Sequence, residues 1–366
     1  NNIKMFTYCL HTLVDITENG SLKNTFPFKT KSGELIHDKD SLTIAKNQQL
    51  NFTTLLQTLQ LRGNIVWEHV PIRIHENIAN MKFGNAYEGK HYVWNFRMNA
   101  SMVSAVSGLG TLFIHKDLKS KFLRFLLFPV YRLAFNHPNQ TVICQNQEDA
   151  NLLSSWGVLK IDRVRLIRGS GVNLENFTDL EEEDSIPVVC FLARLLVDKG
   201  VNEFVLAAEI LKKKGVKAKF YLAGGLDSKN KTGLKTHDLN VIKDKGFVEV
   251  LGYQKDIPKL YSKSHIVCLP SYREGLPKSL IEAAAAGRAV ITTDVPGCRD
   301  SIEPNISGLL VPVRDEKALA IAIHELIKNP EKRRKMGKAG RALAEKEYRI
   351  EKVVDAHLEI YEDLIK

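Results

Sequence analysis

The stretch Ser271-Tyr-Arg-Glu-Gly-Leu-Pro-Lys-Ser-Leu-Ile-Glu-Ala-Ala-Ala-Ala-Gly287 decides how this chain folds. Just before it, Ile266-Val-Cys-Leu is a short apolar run that reads as a buried strand. Glu274 and Gly275 make a tight loop, and Pro277 stands in the first turn of a helix. Gly287 supplies the helix stop, and Arg288-Ala-Val-Ile-Thr opens the next strand. A strand, a loop and a helix N-terminus in succession make an anion pocket, because the first helical N–H groups lack partners within the helix. Glu274 stands at the mouth of that pocket, and Glu282 about two turns farther along. One carboxylate can take hydroxyls near the reacting end of a ligand, the other hydroxyls farther away. That division suits a nucleotide sugar. The plainer alternative is a βα crossover with two solvated glutamates; the pair alone recurs by chance, the whole string far less so.

The 366 residues suffice for two domains with substantial cores. A hydrophobic share of 44% and a charged share of 26% describe a soluble globular protein. A formal net charge of +10 points to an acidic partner: phosphates, nucleic acid or an anionic membrane. No nucleic-acid motif accompanies the cations, so that reading has little beyond charge to support it. The cysteines Cys9, Cys144, Cys190, Cys268 and Cys298 are scattered and odd in number. Cys190 and Cys268 lie in apolar runs, which indicates buried thiols in a reducing compartment. No CxxC or Cys/His cluster suggests a metal. Neither a signal peptide nor an apolar run of membrane-spanning length is present. The start at Asn1-Asn2 in place of Met is read as that of a trimmed chain or a fragment.

From Pro187 onward, short apolar runs alternate with helical stretches. The runs are Val188-Val-Cys-Phe-Leu, Phe220-Tyr-Leu-Ala, Phe247-Val-Glu-Val-Leu, Ile266-Val-Cys-Leu, Ala289-Val-Ile-Thr and Leu309-Leu-Val. Helices are predicted over about Val201–Lys213, Ile257–Ser262, Pro277–Ala286 and Glu316–Ile327, with two charged closing helices, Pro330–Glu347 and Arg349–Ile365. This alternation predicts a doubly wound parallel sheet. The acidic tract Asp179–Asp184, closed by Pro187, reads as a linker. Before it, Val103-Ser-Ala-Val, Thr141-Val-Ile-Cys and Val164-Arg-Leu-Ile read as strands of a second α/β sheet. Residues 1–98 read differently: a strand-like start (Phe6–Ile16), a polar loop, a helix (Ser41–Leu61) and an aromatic piece with Trp67, Tyr92, Trp94 and Phe96.

From about Ser104 to the end, the chain resembles the retaining glycosyltransferases of family 4, more narrowly the bacterial branch that builds lipid-linked glycans for O-antigen, capsule or glycoprotein. The resemblance rests on Val103-Ser-Ala-Val-Ser-Gly-Leu-Gly, Leu166-Ile-Arg-Gly-Ser-Gly-Val-Asn, Ala193-Arg-Leu-Leu-Val-Asp-Lys-Gly, His265-Ile-Val-Cys-Leu-Pro-Ser-Tyr-Arg-Glu-Gly-Leu-Pro-Lys and Thr293-Asp-Val-Pro-Gly-Cys-Arg-Asp, in the family's order and spacing. It implies an α/β GT-B fold of two facing Rossmann-like domains. The divisions are an atypical segment over 1–98, the rest of an acceptor-side domain and a linker over 99–185, a nucleotide-sugar domain over 186–349, and a helix over 350–366 returning to the first domain. Residues 1–98 do not match the family. The function implied is transfer of a hexose or N-acetylhexosamine from a nucleotide sugar, UDP-linked, to a lipid-linked saccharide, at the inner face of the plasma membrane. The alternative is a non-catalytic nucleotide-sugar-binding module joined to an unrelated N-terminal segment.

The resemblance assigns Glu274, Arg194 and Lys199 to catalysis, the two cations meeting the donor diphosphate as it departs. It places Glu282, Gly275, Leu276, Pro277, Gly169, Ser170, Gly171, Gly224 and Tyr253 on the donor, and Gly108 and Gly110 on the acceptor side. Taken singly these signals are weaker. Gly169-Ser170-Gly171 lacks the third glycine of a dinucleotide fingerprint, and a plain turn explains Gly224-Gly225 about as well. Tyr253 is also read as a core-edge tyrosine. No general base is nominated: His115 is a lone histidine, and the departing phosphate oxygen can accept the acceptor's proton on the same sugar face. Asp38-Lys39-Asp40 has the form of a metal-binding DxD but sits in a polar loop, and no essential metal or cofactor is expected. Lys116–Phe135 mixes cations with large apolar groups, suiting an anionic membrane surface; a helix with one core face and one basic face is the alternative.

Overall fold

A computed structural model of the chain describes residues 3–6, 65–68, 102–109, 113, 117–178, 181–228 and 230–365. The chain divides into two compact units. One comprises Asn1–Leu112, Lys116–Ser170 and Ile350–Lys366, the other Phe113–His115 and Gly171–Arg349.

In the first unit, β1 (Ile3–Phe6) and β2 (Ile65–Glu68) pair in parallel, Ile3 opposite Ile65. The strand-like start read at Phe6–Ile16 is therefore displaced toward the N-terminus, and its remainder lies outside the described residues, as do Ser41–Leu61, Asp38-Lys39-Asp40, Tyr92, Trp94 and Phe96. A separate parallel sheet takes the order β3 (Met102–Val106), β4 (Gln140–Cys144), β5 (Val164–Leu166). The helices α1 (Leu118–Phe135) and α2 (Gln147–Ser155) flank β4 in sequence. Buried Gln140 stitches this unit together: its Nε2 lies 2.8 Å from both Ser104 Oγ and the Ala134 carbonyl, and its Oε1 accepts from the His137 N–H at 3.1 Å. The last helix, α9 (Ile350–Ile365), belongs here too, packing Val353, Ile360 and Tyr361 onto Val103, Ile143 and Ile167.

The second unit is a six-stranded parallel sheet built from β6 (Val188–Leu192), β7 (Lys219–Ala223), β8 (Glu249–Gly252), β9 (Ile266–Leu269), β10 (Ala289–Thr293) and β11 (Gly308–Val311). Its order is β11-β10-β9-β6-β7-β8, so winding reverses between β6 and β9. These strands are apolar on both faces because helices cover both. The helices are α3 (Val201–Lys213), α4 (Thr236–Lys245), α5 (Ile257–Ser262), α6 (Lys278–Ala285), α7 (Glu316–Lys328) and α8 (Pro330–Leu343). Phe191, Phe204 and Phe220 pack with ring centroids 5.5 and 6.1 Å apart, the first pair tilted and the second edge to face, across the β6–α3–β7 contact. Helix α4 escaped sequence reading because Thr-His-Asp-Leu-Asn-Val-Ile-Lys-Asp-Lys buries only Ile242 and so shows no apolar stripe. Beyond α8 the chain makes a π-helical turn, Ala344–Tyr348, before leaving the unit at Arg349.

The boundary differs from the one read in the sequence. The unit begins at Gly171, not 186, and the acidic tract is not a free linker. Val172 N–H donates to the Tyr348 carbonyl at 2.7 Å, and Phe177 is buried in the unit's core. Arg333 Nε and Nη2 clasp the Glu182 carboxylate at 2.9–3.1 Å, with both side chains about 95% buried. A carboxylate that a charge count treats as solvated is held by a bidentate partner 151 residues away.

Candidate functional site

In a doubly wound sheet the crevice for ligand opens at the carboxyl ends of the strands, where winding reverses. Here that point is flanked by the turn after β6 and the loop after β9. The first carries Lys199, the second Glu274, and Lys199 Nζ pairs with Glu274 Oε1. Both side chains are partly buried, 21% and 11% exposed, so the pair meets less solvent screening than a surface bridge. Ser271 Oγ lies 2.7 Å from the same Oε1 and 3.0 Å from the Asp198 carbonyl, with one proton to give between them. Tyr272 N–H donates to the Asp198 carbonyl at 2.9 Å, and Glu274 N–H to the Pro296 carbonyl at 3.2 Å. The Glu274 loop is thus tied to the Lys199 turn on one side and to the loop after β10 on the other. Gly297 makes the second contact possible: its φ is 78°, and a Cβ there would stand 2.4 Å from the carbonyls of Glu274 and Gly275.

Arg194, at the end of the segment after β6, is turned to the loop after β7, where its Nη1 meets Asp227 Oδ2 at 2.8 Å. Gly224 is explained by packing: a Cβ at this residue would stand 1.7 Å from the Ala193 carbonyl, so the glycine lets two strand ends approach. Gly275, Leu276 and Pro277 are buried and lead into α6, whose N-terminus no side chain caps. Glu282 lies on α6 with its side chain 11% exposed and Lys278 Nζ 3.7 Å away. Tyr253, by contrast, is 63% exposed; it is not the core-edge tyrosine of the alternative reading.

The profile of a family described as "Glycosyl transferases group 1" matches residues 173–343, nearly all of the second unit. The N,N'-diacetylbacillosaminyl-diphospho-undecaprenol alpha-1,3-N-acetylgalactosaminyltransferase of Campylobacter jejuni is 31% identical over 274 residues, covering 71% of this chain and 70% of that protein. The chain belongs to the group 1 glycosyl transferases. Among solved structures, the sucrose-phosphate synthase of Thermosynechococcus elongatus matches with a TM-score of 0.66 at 20% identity, covering 100% of this chain and 89% of that one. Anabaena HepE in complex with UDP matches with a TM-score of 0.64 at 13% identity, covering 99% and 100%. At such identities the likeness carries the fold alone, and that fold is GT-B.

Two buried groups, Glu282 and Cys298, and the half-buried Tyr272 show the electrostatics around the Lys199–Glu274 pair. Burial raises the Glu282 carboxyl above its ordinary range, opposed by the Lys278 cation. Burial, helped by the Glu274 charge, pushes the Cys298 thiol up to about 12, so this cysteine is inert packing beside the site. Burial and then Glu203 push the Tyr272 hydroxyl up to about 12, which keeps it a donor.

Gly169 and Ser170 end a stretch of the first unit and Gly171 opens the second, with φ of 71° at Gly169 and 73° at Gly171. Gly108 lies in the first unit with φ of 148°, while Gly110, His115 and Lys116 fall outside the described residues. Sequence reading missed Ser271, Asp227 and Gly297. Ser271 stood in the quoted stretch three residues before Glu274, but only its hydroxyl's contact with Glu274 marks it out. Asp227 carried no signal, because an aspartate in a polar loop is ordinary. Among the described residues, no group of three or more His, Cys, Asp or Glu could hold a metal.

Proposed function

We propose that this chain is a retaining transferase that moves a sugar, an N-acetylhexosamine or hexose, from a UDP-sugar to a lipid-diphosphate-linked saccharide. The observation that carries this reading is the Lys199–Glu274 pair at the point where the sheet's winding reverses, beside the uncapped start of α6. A diphosphate seated there meets backbone N–H groups and the Lys199 cation. Arg194 is one counter-ion exchange away, since Asp227 neutralises it at the crevice rim. Glu274 accepts sugar hydroxyls, and Glu282 accepts the ribose hydroxyls. As the bond from C1 to phosphate oxygen breaks, the acceptor oxygen bonds to C1 from the same face and passes its proton to the departing phosphate. Both cations act mainly on charge that develops in that step. The Campylobacter jejuni relative's undecaprenol-linked acceptor supports the lipid-linked class.

The membrane side of the proposal rests on α1. Leu118, Phe122 and Phe125 are 83%, 63% and 74% exposed, interleaved with Lys121 and Arg124, while Leu127, Tyr131 and Phe135 face inward. A helix that leaves aromatic groups in water beside cations suits an anionic bilayer surface. No described helix is long and apolar enough to cross a membrane, so the association we propose is peripheral, on the cytoplasmic face.

The test is UDP release from a panel of UDP-sugars with undecaprenyl-diphosphate saccharides as acceptors. Release is expected to require the acceptor, to yield an α-linked product from an α-linked donor, and to persist in EDTA. Vesicles with anionic lipid should retain the protein better than neutral ones, and Phe122→Ser with Phe125→Ser should abolish that difference. Tight UDP binding without transfer to any lipid-linked acceptor would instead identify a nucleotide-sugar-binding module.

A further inference from the structure

The turn after β11 holds a residue that its backbone disfavours. Arg314 has φ of 58°, in the left-handed region that suits glycine and, less well, asparagine; Asn305, at 62°, is the other described non-glycine residue there. Arginine gains nothing locally from that conformation, so a contact elsewhere must offset it. The Arg314 guanidinium lies over the ring of Tyr272, 4.6 Å from its centroid. The Tyr272 hydroxyl donates to Glu203 Oε1 at 2.7 Å. Glu203, in the first turn of α3, is 7% exposed, and its Oε2 is buried without a hydrogen-bond partner. A buried carboxylate with one oxygen unsatisfied persists where nearby cations and donors hold it.

These three residues follow three separate strands of the sheet, β6, β9 and β11. Glu203 follows the Lys199 turn by four residues, Tyr272 precedes Glu274 by two, and Arg314 follows β11. Tyr272 is therefore held at both ends, its N–H on the Asp198 carbonyl and its hydroxyl on Glu203. We propose that Arg314, Tyr272 and Glu203 form a brace that holds the Glu274 loop against the Lys199 turn, with Arg314 as a positioning residue clamped in a strained turn to cap the Tyr272 ring. The catalytic consequence rests on the reading of Lys199 and Glu274 given above; the brace itself does not.

Arg314→Gly separates the brace from ordinary stabilisation, because glycine relieves the left-handed backbone while deleting the cap. Its melting temperature should be unchanged or higher. Amide exchange in the peptide spanning residues 270–277, read by mass spectrometry without substrate, should quicken about tenfold. In transfer assays kcat should fall about tenfold while KM for the nucleotide sugar stays within about twofold. Tyr272→Phe, which keeps the ring and loses the Glu203 bond, should quicken the same exchange, and Arg314→Lys should recover part of both effects. Unchanged exchange in Arg314→Gly overturns the brace whatever the rate does. Faster exchange with unchanged kcat in an active enzyme overturns the positioning role. A wild type that releases no UDP from any donor refutes the functional reading instead, while the exchange measurement still decides the brace.

Discussion

Replacing Glu282 by glutamine should make the protein more stable and a poorer binder of nucleotide. The Glu282 side chain is 11% exposed, and burial raises its carboxyl above the usual range. The compensating cation, Lys278, stands 3.7 Å away and is 49% exposed; such a pair contributes roughly 0.2–0.5 kcal/mol. That is too little to offset the desolvation of a buried carboxylate. A carboxyl whose folded pKa lies above its unfolded value of about 4.3 costs nothing below that pH. It costs progressively more as pH rises through the folded value. Melting temperatures of wild type and Glu282→Gln should therefore coincide near pH 4 and separate at higher pH, the variant melting higher. Binding should move the other way. A hydrogen bond to a charged acceptor contributes about 1.5–3 kcal/mol and a neutral one about 0.5–1.5, so if Glu282 takes two ribose hydroxyls as proposed, losing the charge costs about 1–3 kcal/mol. This is roughly a 5- to 150-fold rise in Kd for UDP, measurable by titration calorimetry. Wild-type affinity should itself rise with pH as Glu282 ionises. An unchanged Kd in the folded variant refutes the ribose contact, and a lower melting temperature at pH 8 refutes the desolvation argument.

Other outcomes follow from single contacts. If its cation acts on leaving-group charge as proposed, Arg194→Ala should lower kcat by on the order of tenfold or more with a smaller change in KM; an equal rise in KM with kcat intact refutes this. Gly297→Ala should destabilise by at least about 1–2 kcal/mol from its left-handed backbone alone, and should also lower turnover, because the new Cβ meets the Glu274 and Gly275 carbonyls. Unchanged melting and turnover would show that the loop after β10 yields freely. Glu182→Gln leaves buried Arg333 without a counter-charge and should cost about 3–5 kcal/mol, read as a fall in melting temperature or denaturation midpoint. A shift within error would mean that the acidic tract is held by packing alone.

Local signals carried the second unit. The apolar runs at Val188, Phe220, Ile266 and Ala289 became strands within a residue or so of their expected limits, because buried parallel strands are continuous apolar segments that local sequence displays. Glu274 was placed in the loop after a readable strand, whereas Lys199 was singled out only through the family resemblance. Glu282 was placed on α6 by the helical repeat that follows Pro277.

Only the tertiary structure decided what pairs with what. That Lys199, rather than Arg194, meets Glu274, and that Arg194 turns to Asp227, follows from which strand ends the sheet order brings side by side. Glu182 reads as solvent-facing charge until α8 brings Arg333 onto it from 151 residues away. Gly297 and Gly224 read as turn glycines, yet each is there because another chain segment's carbonyl occupies the space of a Cβ. Arg314 gives no sign of strain in the sequence, since a left-handed φ at arginine is imposed by what the side chain reaches, the Tyr272 ring. By itself the sequence determined the strands, the helices with an apolar stripe and the loops that carry the charged groups, because those depend on periodicity over a few residues. The partners of Arg194, Lys199 and Glu182 lie 33 to 151 residues away, which no local pattern encodes.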